Sequence, residues 1–98
     1  MKNDESRGEY LLMMREILQH VMKHPDAKDT VEGIHKFWLS SKTVHQSRDN
    51  VQEALEYLVE EKDWLTKKVS GAAVTLYGLN KDRVHEVEGF LQQSGADD

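Results

Sequence analysis

The sequence predicts a mainly α-helical domain with one small β-hairpin, an α+β fold in the order helix, helix, helix, hairpin, helix. Three observations lead there. Apolar residues recur at helical spacing in four separate stretches. Between the third and fourth of these the pattern changes to two short runs of β-branched, aromatic and aliphatic residues on either side of Ser70-Gly71. Ninety-eight residues with 38% hydrophobic content are enough for one compact core and one domain.

The elements follow in order. Residues 1–8, MKNDESRG, are polar and expected to be a disordered tail, so the folded domain is expected over residues 9–93. From about Glu9 to His24, the residues Tyr10, Met14, Ile17, Leu18, Val21 and Met22 share one helical face, and Pro25 stops the run. Asp29-Thr30-Val31-Glu32 announces a second helix, with an aspartate cap and a glutamate three residues on. Val31, Ile34 and Trp38 then line one face, widened by Phe37, up to about Leu39. Ser40 to Gln46 is a polar connector, with a short extended stretch expected around Thr43-Val44.

Ser47 is placed to cap the third and clearest helix. There Val51, Ala54, Leu55, Leu58 and Val59 follow the i, i+3, i+4, i+7, i+8 pattern of a helix with one buried face, while Arg48, Asp49, Gln52, Glu53 and Glu56 fall opposite. Trp64–Val69 and Val74–Leu79 read as the hairpin, with Gly71 supplying the positive φ of a tight turn. Asn80 caps a last helix, about Lys81 to Gln93, that turns Val84, Val87, Phe90 and Leu91 inward. The acidic residues 94–98, SGADD, are expected to be disordered.

Composition excludes several classes. There is no cysteine, hence no disulfide framework and no thiolate zinc site. The longest apolar run, Tyr10 to Met14, is far short of a membrane span, and no signal-peptide pattern opens the chain, so a cytoplasmic protein is expected. No phosphate-cradling glycine loop, nucleophile elbow or carboxylate pair in an apolar setting points to an enzyme, and no cofactor is expected. His20 and His24 stand four apart on the first helix, but a metal site needs a third ligand such as His85 or Asp26, and no H-E-x-x-H occurs. Their position near a helix C-terminus is favoured by the dipole alone, and no metal is expected.

The stretch Ser47 to Asn80, SRDNVQEALEYLVEEKDWLTKKVSGAAVTLYGLN, resembles the winged-helix family of helix-turn-helix domains. The resemblance rests on the V-x-x-A-L-x-x-L-V spacing of Val51, Ala54, Leu55, Leu58 and Val59, then Trp64-Leu65, the Ser70-Gly71 turn, and Tyr77 with Leu79. It covers roughly residues 9–80. The connector Ser40–Gln46 is longer than the turn of about 3–4 residues usual between such helices.

The resemblance implies a duplex-DNA-binding regulator. Arg48 and Gln52 would then face bases, Ser47 and Lys42 would contact phosphate, and Lys67 and Lys68 would act from the wing. Charge argues for another partner. Residues 47–63 hold two basic residues against six acidic ones, and phosphate repels carboxylates. The alternative is a winged helix that binds no DNA and presents its acidic third helix to a basic protein surface. The rest of the body, residues 6–46 and 64–96, carries ten basic residues against eight acidic ones, a basic rim around that helix. Tyr10 to Met14 is apolar all round, which leaves a stripe for a homodimer interface formed by Leu12 and Met13 with Phe90 and Leu91 of the last helix.

Overall fold

The computed structural model describes residues 2–41, 43–71 and 73–95. Among them the chain runs α1 (Lys2–Lys23), β1 (Lys28–Asp29), α2 (Val31–Gly33), α3 (Arg48–Glu60), β2 (Leu65–Val69), β3 (Thr75–Leu79) and α4 (Val84–Gly95). A π-helical turn, Ile34–Trp38, continues α2, and a 3-10 turn, Lys81–Arg83, leads into α4. The expected class holds: a mainly helical chain with a small antiparallel sheet. That sheet has one more strand than expected, in the order β1-β3-β2.

Both ends differ from expectation. α1 begins at Lys2 rather than near Glu9, so residues 2–8 continue the helix. No proline interrupts residues 2–23, and the one glycine there, Gly8, costs a helix only about 1 kcal/mol relative to alanine. α4 reaches Gly95, two residues past the expected Gln93, and residues 96–98 lie outside the described chain.

The first turn after α1 is held by His24 N–H donating to His20 C=O and Ala27 N–H donating to His24 C=O, both at 2.9 Å. Pro25 sits in this turn and forces the exit. Lys28 and Asp29 then pair with Gly78 and Tyr77, a strand too short to show a period in the sequence. Because Asp29 is taken into the sheet, the cap of α2 passes to Thr30, whose hydroxyl accepts from Gly33 N–H at 3.1 Å. The Asp29 carboxylate accepts from Thr30 N–H at 2.8 Å and lies where a Cβ on residue 33 would stand, so any other residue at 33 would have to push that carboxylate aside.

The core is a single cluster. Met13, Ile17, Leu18 and Val21 of α1 meet Ile34, Val51, Ala54, Leu55 and Val87, all without solvent exposure, and Tyr77 and Leu65 of the hairpin close one side. Trp64 joins α4 to this cluster: its ring lies 5.3 Å from that of Phe90, and its Nε1–H donates to Glu86 at 3.0 Å. Phe37 departs from expectation. It is 76% exposed, because the wide i→i+5 turn returns Trp38 to the face of Ile34 and leaves Phe37 outside.

The connector is folded rather than extended. Glu16 of α1 accepts from Ser40 N–H at 2.9 Å, Ser40 Oγ–H at 2.7 Å and Thr43 Oγ1–H. Val44 N–H returns to Ser40 C=O at 2.9 Å, and Thr43 is 1% exposed. One half-buried carboxylate thus orders a polar stretch that has no hydrophobic pattern to announce its shape.

The hairpin register pairs Leu65 with Leu79 and Val69 with Thr75. Its turn is closed by Ser70 N–H to Val74 C=O at 2.8 Å, and the left-handed residue is Ala73 (φ 64°), not Gly71. A second left-handed residue, Asp63 (φ 60°), ends the passage from α3 to β2, and Asn80 Nδ2–H holds its carbonyl at 2.7 Å. Among the described residues no helix is long and apolar enough to cross a membrane.

Candidate interaction surface of the third helix and hairpin

Ser47 caps α3 as expected, its Oγ accepting from Asn50 N–H at 3.1 Å. Val51, Ala54, Leu55 and Leu58 are buried, so the opposite arc is set by the 100° step of the helix. Asp49, Glu53, Glu56 and Glu60 fall within about 60° of one another at the centre of that arc. The outermost ridge of the helix is therefore a row of carboxylates.

Arg48, Gln52 and Glu56 stand at i, i+4 and i+8 on the side of α3 that faces the hairpin. With Thr30, Glu32, Lys67, Val74 and Tyr77 among the other walls, they line a cleft of about 390 Å³ between the start of α2, α3 and the sheet. Here the basic side chains are already taken. Arg48 Nε donates to Glu32 Oε2 at 2.7 Å, and its Nη1 reaches Gln52 Oε1 at 3.5 Å. Lys67 Nζ lies 2.8 and 3.1 Å from the two oxygens of Glu56, and the Tyr77 hydroxyl donates to the same carboxylate at 2.6 Å.

The titrations follow these contacts. Hydrogen bonds from Lys67 and then Tyr77 hold Glu56 below the ordinary carboxylate range. Tyr77 moves the other way, above the usual phenol range, because burial and the neighbouring Glu56 charge disfavour a phenolate. Glu32 is lowered by its own backbone N–H and then by Arg48. The cleft is thus electrically balanced, two cations against two anions.

Three of the six residues expected to meet nucleic acid, Arg48, Gln52 and Lys67, come together in this cleft. Ser47 is spent on its cap. Lys68 lies on the other face of β2, exposed and without a side-chain partner. Lys42 lies outside the described residues. Sequence reasoning missed Glu32, Glu56 and Tyr77 as the partners of these cations. The signal was present in part: Glu56 continues the Arg48–Gln52 stripe by one further turn, and a closed hairpin places Tyr77 opposite Lys67.

The expected dimer residues divide. Met13 has no exposure and belongs to the chain's own core, which corrects its placement at a partner surface. The buried face of α1 is wide enough to take both Met13 and Met14, because α4 as well as α3 packs on that helix. Leu12 is half-buried, and Phe90 and Leu91 pack against the core from α4. Leu11, 46% exposed, is the open apolar position of this stretch.

His20 stacks on Trp38, ring centroids 4.3 Å apart, and lies 5.0 Å from the ring of His24. Burial, with His24 next, lowers its pKa. Asp26 is paired with Lys81, and among the described residues no three His, Asp or Glu side chains are grouped to hold a metal ion. Set against known protein families, curated proteins and solved structures, the chain matches none of them.

Proposed function

We propose that this chain is a winged-helix domain that works as a cytoplasmic protein-interaction module, presenting the carboxylate ridge of α3 to a basic surface of a partner protein. The order of three helices, hairpin and final helix supports the winged-helix reading. A domain this small that holds together without a cysteine suits a reducing compartment. Fold alone does not choose a function, so the argument rests on the site.

One observation carries it. Arg48 and Lys67, the cations that would meet phosphate from the reading helix and the wing, are bound by Glu32 and Glu56. A duplex approaching this face meets Asp49, Glu53 and Glu60 first, and freeing either cation leaves a carboxylate beside a phosphate. A basic protein surface meets the same ridge with complementary charge and without breaking either pair.

Duplex DNA is the second reading, favoured by Lys68, which stands exposed beside Lys67, without a partner among the described residues, on a hairpin without acidic residues. In that reading the chain is a small dimeric transcriptional regulator. Fluorescence anisotropy with random-sequence duplexes at about 50 mM salt separates the two, since non-specific phosphate binding is strongest at low salt. The interaction reading expects no binding there. It also expects a partner captured from lysate by the wild-type domain to be lost when Glu53→Lys and Glu60→Lys are combined, a pair that leaves Lys67 and Tyr77 on Glu56. Duplex binding at low salt, with partner capture unchanged in the double variant, would overturn it.

A further inference from the structure

The open edge of the sheet is a separate surface from the α3 ridge, and its inference does not rest on the reading above. β2 lies at the end of the strand order, paired only with β3. Ser70 N–H donates to Val74 C=O, and Asn80 N–H donates to Trp64 C=O at the other end of the same ladder. Hydrogen-bonded pairs alternate along an antiparallel ladder, so residues 64, 66, 68 and 70 face β3 with their backbone groups. Lys67 and Val69 therefore turn their N–H and C=O groups outward, where no strand of the described chain meets them, while Leu65 at the start of the strand is covered by the core.

We propose that this edge takes an extended segment of a partner protein as a fourth strand, one that alternates acidic and apolar residues. The backbone groups of Lys67 and Val69 supply the ladder, the mode of recognition by which a free strand edge binds peptides. Side chains set the preference. Val69 is 62% exposed and offers an apolar row near the turn. Lys68 is exposed on the solvent face of the sheet, with no partner among the described residues. The hairpin, residues 64–79, holds no acidic residue, and with Lys67 paired to Glu56 it is Lys68 that gives this edge its positive charge in a chain of net charge −5.

A second copy of the chain is a poorer occupant. Antiparallel pairing over the full length of both β2 strands centres on residue 67 and sets Lys67 opposite its own counterpart. Like charges directly opposite destabilise a strand pair, and edge lysines are a common block to self-pairing.

Backbone amide exchange followed by NMR, with and without a synthetic Glu-Val-Glu-Val-Glu-Val peptide, tests the assignment. In the protein alone, the amides of Lys67 and Val69 should exchange fast and those of Thr66 and Lys68 slowly. Added peptide should slow Lys67 and Val69 selectively. A Lys-Val counterpart should bind about fivefold more weakly, since an opposite-charge pair across strands and a like-charge pair differ by up to about 1 kcal/mol. Lys68→Glu, an exposed change, should reverse that preference. Unchanged exchange at Lys67 and Val69 with saturating peptide overturns the proposal, and so does equal binding of the two peptides. Protection that rises with protein concentration alone, with a dimer in sedimentation, assigns the edge to a second copy and overturns it as well.

Discussion

The Glu56 carboxylate of α3 holds the hairpin through two contacts, Lys67 Nζ at 2.8 Å and the Tyr77 hydroxyl at 2.6 Å. Tyr77 is 1% exposed, and its hydroxyl meets that carboxylate in the wall of the cleft. Tyr77→Phe removes one hydrogen bond to a charged group and should cost about 1.5–3 kcal/mol in urea melts. The same change at Thr66, whose hydroxyl makes a 3.4 Å contact, carries no such burden: Thr66→Val should stay within about 0.5 kcal/mol.

Glu56 also sets an acid limb. Its folded pKa is depressed by Lys67 first and Tyr77 second, below the reference value of 4.5. A depressed carboxylate contributes stability that is present above the unfolded pKa and lost as pH falls through the folded one. Stability should therefore decline as pH drops below about 4.5, and Glu56→Gln should flatten that decline while lowering stability at pH 7. Equal slopes for the two proteins between about pH 4.5 and 2.5 would assign the limb elsewhere.

The register of α3 has its own test. Leu55 has no exposure and touches the centre of the core, so Leu55→Ala should cost about 2–5 kcal/mol. Glu53 lies on the ridge and is exposed, and Glu53→Ala should change stability by less than about 0.5 kcal/mol. Similar losses at both sites in denaturant melts would mean the helix is turned.

The connector depends on Glu16. Its carboxylate receives three hydrogen bonds from Ser40 and Thr43, and Thr43 is buried. Glu16→Ala takes the acceptor from the buried Thr43 hydroxyl and should cost about 1–3 kcal/mol, more than an exposed acid-to-alanine change. Amide exchange should rise across residues 40–46 in that variant; protection unchanged there would show that the connector is held by something else.

These contacts mark where the sequence was legible. Helix α3 and the hairpin were, because Val51 to Val59 and Trp64 to Leu79 each repeat one period long enough to recognise. β1 was not, since Lys28 and Asp29 are two polar residues recruited by a free edge of β3. The connector was not, because a single carboxylate 24 to 27 residues away orders it. Phe37 was misplaced for a third reason: the helix it was read on becomes a π turn, and a face drawn at 3.6 residues per turn no longer applies. In the cleft, the cations were legible as Arg48 and Lys67, while their neutralisation was not, because Glu32 lies 16 residues from Arg48 and Glu56 lies 11 from Lys67.

Met13 and Leu12 separate folding from assembly. Met13→Glu puts a charge into a site with no exposure and should unfold the domain, a loss of several kcal/mol, with no monomeric folded product. Leu12→Glu, at a half-buried position, should leave the fold in place and, if α1 forms a dimer, shift sedimentation towards monomer. A folded Met13→Glu protein by circular dichroism would contradict the core assignment.

The two ion pairs of the cleft decide what the wing and reading helix offer to a duplex. Glu32→Gln with Glu56→Gln removes both carboxylates and leaves Arg48 and Lys67 with hydrogen-bonding amides of similar shape. Two cations then become available beside Lys68, the cation of the hairpin that is unpaired among the described residues. Each phosphate they neutralise should add about 0.9 to the slope of log affinity against log salt. The double variant should therefore gain duplex binding at about 50 mM salt, steepening the slope by roughly two units, where the wild type shows little. Adding Lys67→Ala to that background should remove about one of those units for every sequence tested. Arg48→Ala in the same background should remove the other. A wild-type domain that already binds duplexes with a slope as steep as the double variant's would mean that Glu32 and Glu56 do not hold these cations in solution, and the interaction-module reading would lose its main support.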